Sequence, residues 1–502
     1  MRRSRFLQER PEWWTAIVGI ASFVHLLVLR DITIRDPDTY WHIATGQWIL
    51  DHWAIPFRDP FSFSMPGAEW VPHQWLGEVI LALVYNGGGW SAVATLVCFV
   101  FAVILALLTH QLLKSLMPIH ALIFVILAWL MWFMHALARP YFLAAPFQLI
   151  WIATLVNSRQ ANRCPPFSIL PLMVLWANLH ADCIVGLVFT LLFAAEAVWA
   201  SASWRAALNG PFRQWGLFAL CALIAAMLTP NGITELLFPF HLIGMKFIVS
   251  NLTEWLSPNF QVYQPIEVWL IFALFVALCF GLKLPLSRLL ILLLLVHLAL
   301  THVRNGELLA TIGPLITAHA LGPQLVAARQ KRYLSYGESV PSYLDRVFEK
   351  LKKPIPARGM LAAIAIIAVA TAWSWSMPIT RGDDEISPIS AMKSLTACQR
   401  NGRVFNWYNA GGYLIMNGVP TFIDGRADMY GDKFFENYLR AVKGEDNRLQ
   451  KLLGEYDIAW TMLPPGIPAV AILDLLPGWQ RVYADKYAVV HIQKSHMDGN
   501  CQ

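Results

Sequence analysis

The sequence is short of charge, with 32 acidic and 38 basic side chains in 502 residues, 14% together, against about 25% in an average globular domain. With 57% of residues hydrophobic, that scarcity excludes a soluble domain of this size. Cysteine is scarce as well. There are seven, none at metal-site spacing, which excludes a zinc module and a dense disulfide framework. Cys98, Cys183, Cys221 and Cys279 fall in apolar runs, and only Cys398 and Cys501 share a polar region where an oxidising compartment permits a bridge. Internal repeats and ionisable residues deep in the apolar runs, the marks of many transporters, are not evident. No small-residue cleavage pattern precedes Arg30, so the first apolar run reads as an anchor that stays in place.

What is abundant is apolar sequence. A bilayer core of about 30 Å takes roughly 20 apolar residues per helix, and about eleven runs approach that length, near 12–30, 90–113, 118–136, 141–157, 166–179, 183–200, 214–229, 266–282, 286–302, 306–327 and 359–378. The expected fold is mainly α, a polytopic transmembrane bundle of about eleven spans over 1–378, followed by a small α/β domain over 379–502. Lys and Arg collect in alternate loops, among them Arg329, Lys331, Arg332, Lys350, Lys352 and Lys353. The positive-inside rule then puts the N-terminus in the cytoplasm and the C-terminal domain outside, on the periplasmic face of a multi-pass cytoplasmic (inner) membrane. The formal charge of +6 is thus a topology signal, and nucleic acid is not an expected partner.

Polar residues with chemical capacity gather on the outer side. The first outer loop, 31–89, opens with Arg35-Asp36-Pro37-Asp38-Thr39-Tyr40-Trp41-His42. Two carboxylates and an imidazole at the membrane surface can bind a cation or act as a general base; equally, Asp38 can cap the helix that follows. The loop continues through Asp59, Glu69, His73, Gln74 and Glu78, where Asp59 and Glu69 read as solvated and His73 and Glu78 border a short apolar helix, Trp75 to Tyr85, stopped by three glycines. Trp41, Trp70 and Trp75 suit either sugar stacking or anchorage at the lipid interface. A second outer loop, 230–265, is long and amphipathic. Arg139, Asn178, His180, Asp182, Asn231, Glu254, Arg304, Asn305 and Glu307 recur at one depth, at the outer ends of separate runs. Ionisable groups beside spans usually mark sites. Arg139 and Arg304 suit a phosphate, which Arg binds with paired hydrogen bonds, and His42, His73, Glu78, His180 and Glu254 complete the substrate-side set. No motif fixes a cofactor; Asp36, Asp38 and Asp182 are the candidate ligands for a divalent cation, Mg or Mn.

This arrangement resembles the GT-C glycosyltransferases. Asp38-Thr39-Tyr40-Trp41-His42 is similar to the Asp-x-Tyr-x-His run of oligosaccharyltransferase catalytic subunits, and DPFSFSMPG (59–67) and VPHQW (71–75) are similar to the same subunits' first loop. Asn406-Trp407-Tyr408-Asn409-Ala410-Gly411-Gly412-Tyr413 loosely resembles their Trp-Trp-Asp-Tyr-Gly motif, with Asn409 where the family has an acid; a buried strand and turn bent by the glycines is the plainer reading. Arg139-Pro140 stands where those enzymes carry an acidic metal-binding pair. The resemblance implies an inverting membrane glycosyltransferase that moves a sugar from a polyprenyl-phosphate donor to a lipid, glycan or protein acceptor outside the cell membrane. Asp36 and Asp38 would be catalytic, and Trp407, Tyr408, Asn409, Asp424 and Arg426 would lie on the acceptor side. The alternatives are a transporter or flippase for lipid-linked glycans and a non-catalytic assembly subunit.

Overall fold

The computed structural model describes residues 11–336 and 343–496. The basic segment 1–10, the side chains of Arg329, Lys331 and Arg332, and Cys501 lie outside the described residues. Cys398 is disulfide-bonded.

A helix stands at each of the eleven apolar runs, but the count of spans is corrected. Among the described residues four helices are long and apolar enough to cross a membrane: Trp75–Leu113, Pro140–Gln160, Val303–Ala328 and Ala357–Trp375. Most of the other runs form apolar helices of 10–17 residues, because Pro, Gly and polar residues cut them short. Pro265–Phe280, for example, ends on Gly281 in the left-handed conformation (φ 56°), and 16 residues reach only about 24 Å.

We label the first elements α1 (Trp13–Val28), α2 (Asp38–His52) and α3 (Trp75–Leu113). The glycine triad was expected to end a short helix before the second span. The triad does so: within α3 the helical dihedrals break at Gly88 (φ −165°, ψ 21°) and Gly89 (φ 60°, ψ −151°), so that two helices meet there at a kink, and the positive φ of Gly89 is open mainly to glycine. The chain continues through α4 (Pro118–Phe133) and α5 (Pro140–Gln160).

Near the C-terminus lies a four-stranded sheet of order β1-β2-β4-β3, made of β1 (Val404–Asn406), β2 (Trp460–Leu463), β3 (Trp479–Ala484) and β4 (Val489–Gln493). β1 and β2 are parallel, with Phe405 opposite Thr461; β4 runs antiparallel to both β2 and β3. Every residue of β2 is buried, whereas β3 is the exposed edge.

The loops 31–89 and 230–265 share a core with this C-terminal segment. Trp41 and Trp70 from the first loop and Ile248 from the second pack in one cluster with Phe405, Phe422, Tyr430 and Tyr438. Backbone bonds join the first loop to the segment, Phe63 N–H to Thr421 O at 3.1 Å and Thr421 N–H to Phe61 O at 3.2 Å. Asp432 accepts from the N–H groups of Phe247 (3.1 Å) and Ile248 (2.9 Å), which fastens the second loop.

Candidate active site

The site forms where α2 begins. Asp36 is buried, and its Oδ1 accepts the Asp38 N–H at 2.8 Å. The capping role offered to Asp38 therefore falls to Asp36; Asp38 is the first helical residue, preceded by Pro37 with no side-chain cap. That leaves Asp38 free to turn its carboxylate toward α5. Its Oδ1 accepts the Trp41 indole N–H at 3.0 Å, and its Oδ2 lies 2.9 Å from Arg139 Nη2. Burial pushes the Asp38 carboxyl up to about 7, against the pull of Arg139 and with the push of Asp36.

Arg139 precedes α5 and is held by its neighbours: Ala138 donates its N–H to Thr33 O at 2.9 Å, and Thr39 donates its hydroxyl to Ala138 O at 3.1 Å. Its guanidinium meets three carboxylates, Asp36 through Nε at 2.7 Å, Asp38 through Nη2 at 2.9 Å and Glu254 through Nη1 at 3.1 Å. Glu254 sits on a short 3-10 turn of the second loop, Thr253–Trp255. Its other oxygen is 3.5 Å from Arg304, which lies over the Trp255 ring at 4.7 Å. Burial raises the Glu254 carboxyl, but Arg304 and Arg139 together outweigh it and hold the group below its ordinary value. Four segments far apart in sequence thus converge on one charge cluster.

The other sequence candidates occupy its surroundings. His42 is buried 3.2 Å from Glu78 Oε1, with its ring 3.7 Å from that of Trp41; burial, then Arg139, keep it well below the ordinary histidine value and so neutral. His73 stacks on Phe238 at 4.0 Å and faces His180 at 5.6 Å; burial, then His180, lower it to about 3. Asp182 pairs with His180 at 3.1 Å and accepts the Trp176 indole N–H at 2.7 Å, so it does not join Asp36 and Asp38. His135 and Glu307, 2.6 Å apart, add a pair that no spacing in the chain links.

On the C-terminal side Tyr408 and Gly425 approach the carboxylates. The Tyr408 hydroxyl donates to Gly425 O at 3.3 Å, and burial followed by the charge of Asp38 drives the phenol well above its ordinary value. Trp407 and Asn409 are half-buried. Asp424 and Arg426 are fully buried and paired, so they present no surface to an acceptor and instead bind the segment to the first loop. The glycines serve close approach, which corrects the reading of Gly411 and Gly412 as a bend: Gly411 is helical (φ −57°), and a Cβ on Gly412 would lie 2.5 Å from Pro37 O. A Cβ on Gly425 would lie 1.9 Å from Asp38 Oδ1. Gly425→Ala is expected to cost about 1–3 kcal/mol through overpacking and to displace Asp38. A lower thermal midpoint together with reduced activity checks this.

A divalent cation can be tested against these residues. Among the described residues no group of three or more His, Cys, Asp or Glu is arranged to hold one. Asp36 and Asp38 spend their oxygens on the Arg139 guanidinium, an amide N–H and an indole N–H. The residues do not fit a metal; the cation among these carboxylates is Arg139.

The fold and the cluster define a mainly helical protein, with four described helices long and apolar enough to cross a membrane and with carboxylates and guanidiniums gathered around the start of α2. Among the solved structures it is similar to is the archaeal oligosaccharyltransferase AglB from Archaeoglobus fulgidus, in complex with an inhibitory peptide and a dolichol-phosphate, at 10% identity and TM-score 0.50, over 90% of this chain and 69% of that one. The apo form of the Archaeoglobus fulgidus oligosaccharyltransferase matches at 10% identity and TM-score 0.48, over 91% and 70%. No protein-family model matches the sequence, and no curated protein matches it. At such identity the likeness is one of fold.

Proposed function

We propose that this protein is an inverting membrane glycosyltransferase that moves a sugar from a polyprenyl-phosphate carrier to an acceptor at the outer face of the cytoplasmic membrane. The observation that carries the reading is the pairing of a carboxylate poised near neutrality, Asp38, with two guanidiniums, Arg139 and Arg304, bridged by Glu254. The AglB structure of similar fold is described with a dolichol-phosphate and a peptide bound, which supports a lipid-phosphate donor.

In the proposed reaction the acceptor hydroxyl attacks C1 of the sugar and gives its proton to Asp38. The C1–O bond to the phosphate breaks, and the negative charge that grows on the leaving phosphate is met by Arg139 and Arg304. Asp36 orients Arg139 and the start of α2. The bundle over 1–378 holds the donor, and the domain over 379–502 covers the acceptor side through Tyr408. No metal is assigned a step. Accordingly, chelation is expected to leave the rate within about twofold, whereas Arg139→Gln is expected to lower it about 10²–10³-fold, the effect of losing a preorganised charge-stabilising donor. Rates measured before and after EDTA, with both proteins, check this.

The deciding experiment is transfer of radiolabelled sugar from polyprenyl-phosphate donors to total membrane acceptors, comparing wild type with Asp36→Asn and Asp38→Asn. A labelled product formed by wild type alone supports the reading. Equal label in all three directs attention to the transporter or assembly-subunit alternative.

A further inference from the structure

The far end of α5 carries a second charge cluster. Arg139 precedes this 21-residue helix and Arg159 lies one residue before its end, so the two stand about 30 Å apart along the axis, the thickness of a bilayer core. Arg159 Nε lies 3.4 Å from Glu196 Oε1, on the last turn of Cys183–Trp199, and the same oxygen is 3.0 Å from Arg288 Nη2, on the first turn of Leu286–Thr301. Two guanidiniums thus share one carboxylate oxygen, leaving one positive charge in excess. All three side chains are largely buried, 10%, 14% and 9% exposed. Arg159 Nε, Arg288 Nη1 and Glu196 Oε2 have no hydrogen-bond partner among the described residues.

A buried guanidinium needs acceptors on each edge, and here the described residues supply too few. What the cluster lacks is a monoanion with several oxygens. The apolar surface around it suggests the source, because Leu286 and Leu290, on the Arg288 helix, are exposed as lipid-facing residues are. We propose that Arg159 and Arg288 bind the phosphate of an anionic phospholipid headgroup, at the membrane face opposite Asp36 and Asp38. Basic pockets between helices at that level suit such headgroups. Phe193, beneath Arg288 at 4.5 Å, holds that guanidinium in place, and Glu196 sets the affinity by competing with the lipid phosphate for both arginines.

The test uses the full chain purified in neutral detergent, with thermal midpoint and native mass spectrometry read during titration of phosphatidylglycerol, phosphatidylcholine or inorganic phosphate. Phosphatidylglycerol is expected to raise the midpoint saturably and to stay bound in the spectrometer, with the other two far weaker. Arg288→Gln is expected to weaken phosphatidylglycerol binding about tenfold or more, the loss of a charge-assisted hydrogen bond. Glu196→Gln removes the competing carboxylate and is expected to tighten binding, an outcome that a purely structural ion triad does not produce. Equal effects of phosphatidylglycerol and phosphatidylcholine, or unchanged affinity in Glu196→Gln, would overturn the proposal. Saturation by inorganic phosphate at the same affinity would overturn the lipid assignment and leave a soluble phosphate as the ligand.

Discussion

Replacing Asp38 by Asn is expected to lower sugar transfer by about 10²–10⁴-fold, the usual contribution of a positioned general base. Asparagine keeps the shape of the side chain and can still accept the Trp41 indole N–H, so the start of α2 should persist. The wild-type rate should depend on pH through the same group. With the carboxyl raised to about 7, only its deprotonated form takes a proton, and activity should climb through pH 7 and level off above it. Stability should move the other way. The folded value lies above the ordinary carboxylate value, so the fold favours the protonated form, and this contribution is lost as pH rises from about 4 through 7. Thermal midpoints of the wild type should therefore fall relative to Asp38→Asn across that interval, and the two should converge in acid. A rate profile that is flat through neutrality, or an Asp38→Asn protein with full activity, removes Asp38 from the role of base.

The parts of this site that could be read from the sequence are those fixed locally. Asp36 and Asp38 announced themselves because they precede a helix of interfacial character, and Arg139, Glu254 and Arg304 because charge at the end of an apolar run is costly. Which of them would meet could not be read, since Arg139 finds Asp36 and Glu254 at separations of 103 and 115 residues. Asp59 was expected to be solvated and is buried for the same reason, its partner Arg426 lying 367 residues away. Among the strands, β1, β2 and β4 sit on the strand-like runs 404–406, 458–462 and 488–492, whereas 421–424, of similar composition, forms only an isolated bridge between Thr421 and Ser62. β3 escaped because it is an exposed edge, where the apolar alternation that reveals a strand is weakest. Runs of apolar sequence located the helices well, and the number of spans poorly, since membrane length depends on where each helix stops.

Arg426→Met is expected to destabilise the C-terminal segment and the first loop by about 3–5 kcal/mol, the cost of leaving buried charges without their partner. Arg426 is wholly enclosed. It donates to Asp424 through Nε (2.8 Å) and Nη2 (2.7 Å) and to Asp59 through Nη1 (2.6 Å), and it lies over Trp70 at 4.9 Å and Phe61 at 5.1 Å. Asp424 accepts further bonds from Tyr430 (2.7 Å) and Thr421 (3.2 Å). Burial raises its carboxyl, but Arg426 more than reverses that and holds it below the ordinary value. Without the guanidinium, Asp59 and Asp424 are left as unpaired charges in a dry core, and the first loop loses its ion pair to the C-terminal segment while keeping the backbone bonds of Phe61 and Phe63 to Thr421. Because Gly425 touches Asp38 next door in the chain, the loss should reach the site and abolish transfer although Arg426 is not itself part of the cluster. The effect should also carry a pH signature. A carboxylate held low contributes stability above its ordinary range that is lost as pH falls through the folded value, so wild type should lose its advantage over Arg426→Met in acid. Adding Asp59→Asn and Asp424→Asn to Arg426→Met removes the orphaned charges and should recover a large part of the midpoint but little of the activity. Thermal unfolding and transfer assays on the single and triple variants separate charge burial from attachment. If the triple variant melts no higher than the single one, the penalty does not come from the stranded carboxylates, and the clamp acts through packing around Trp70 and Phe61 instead.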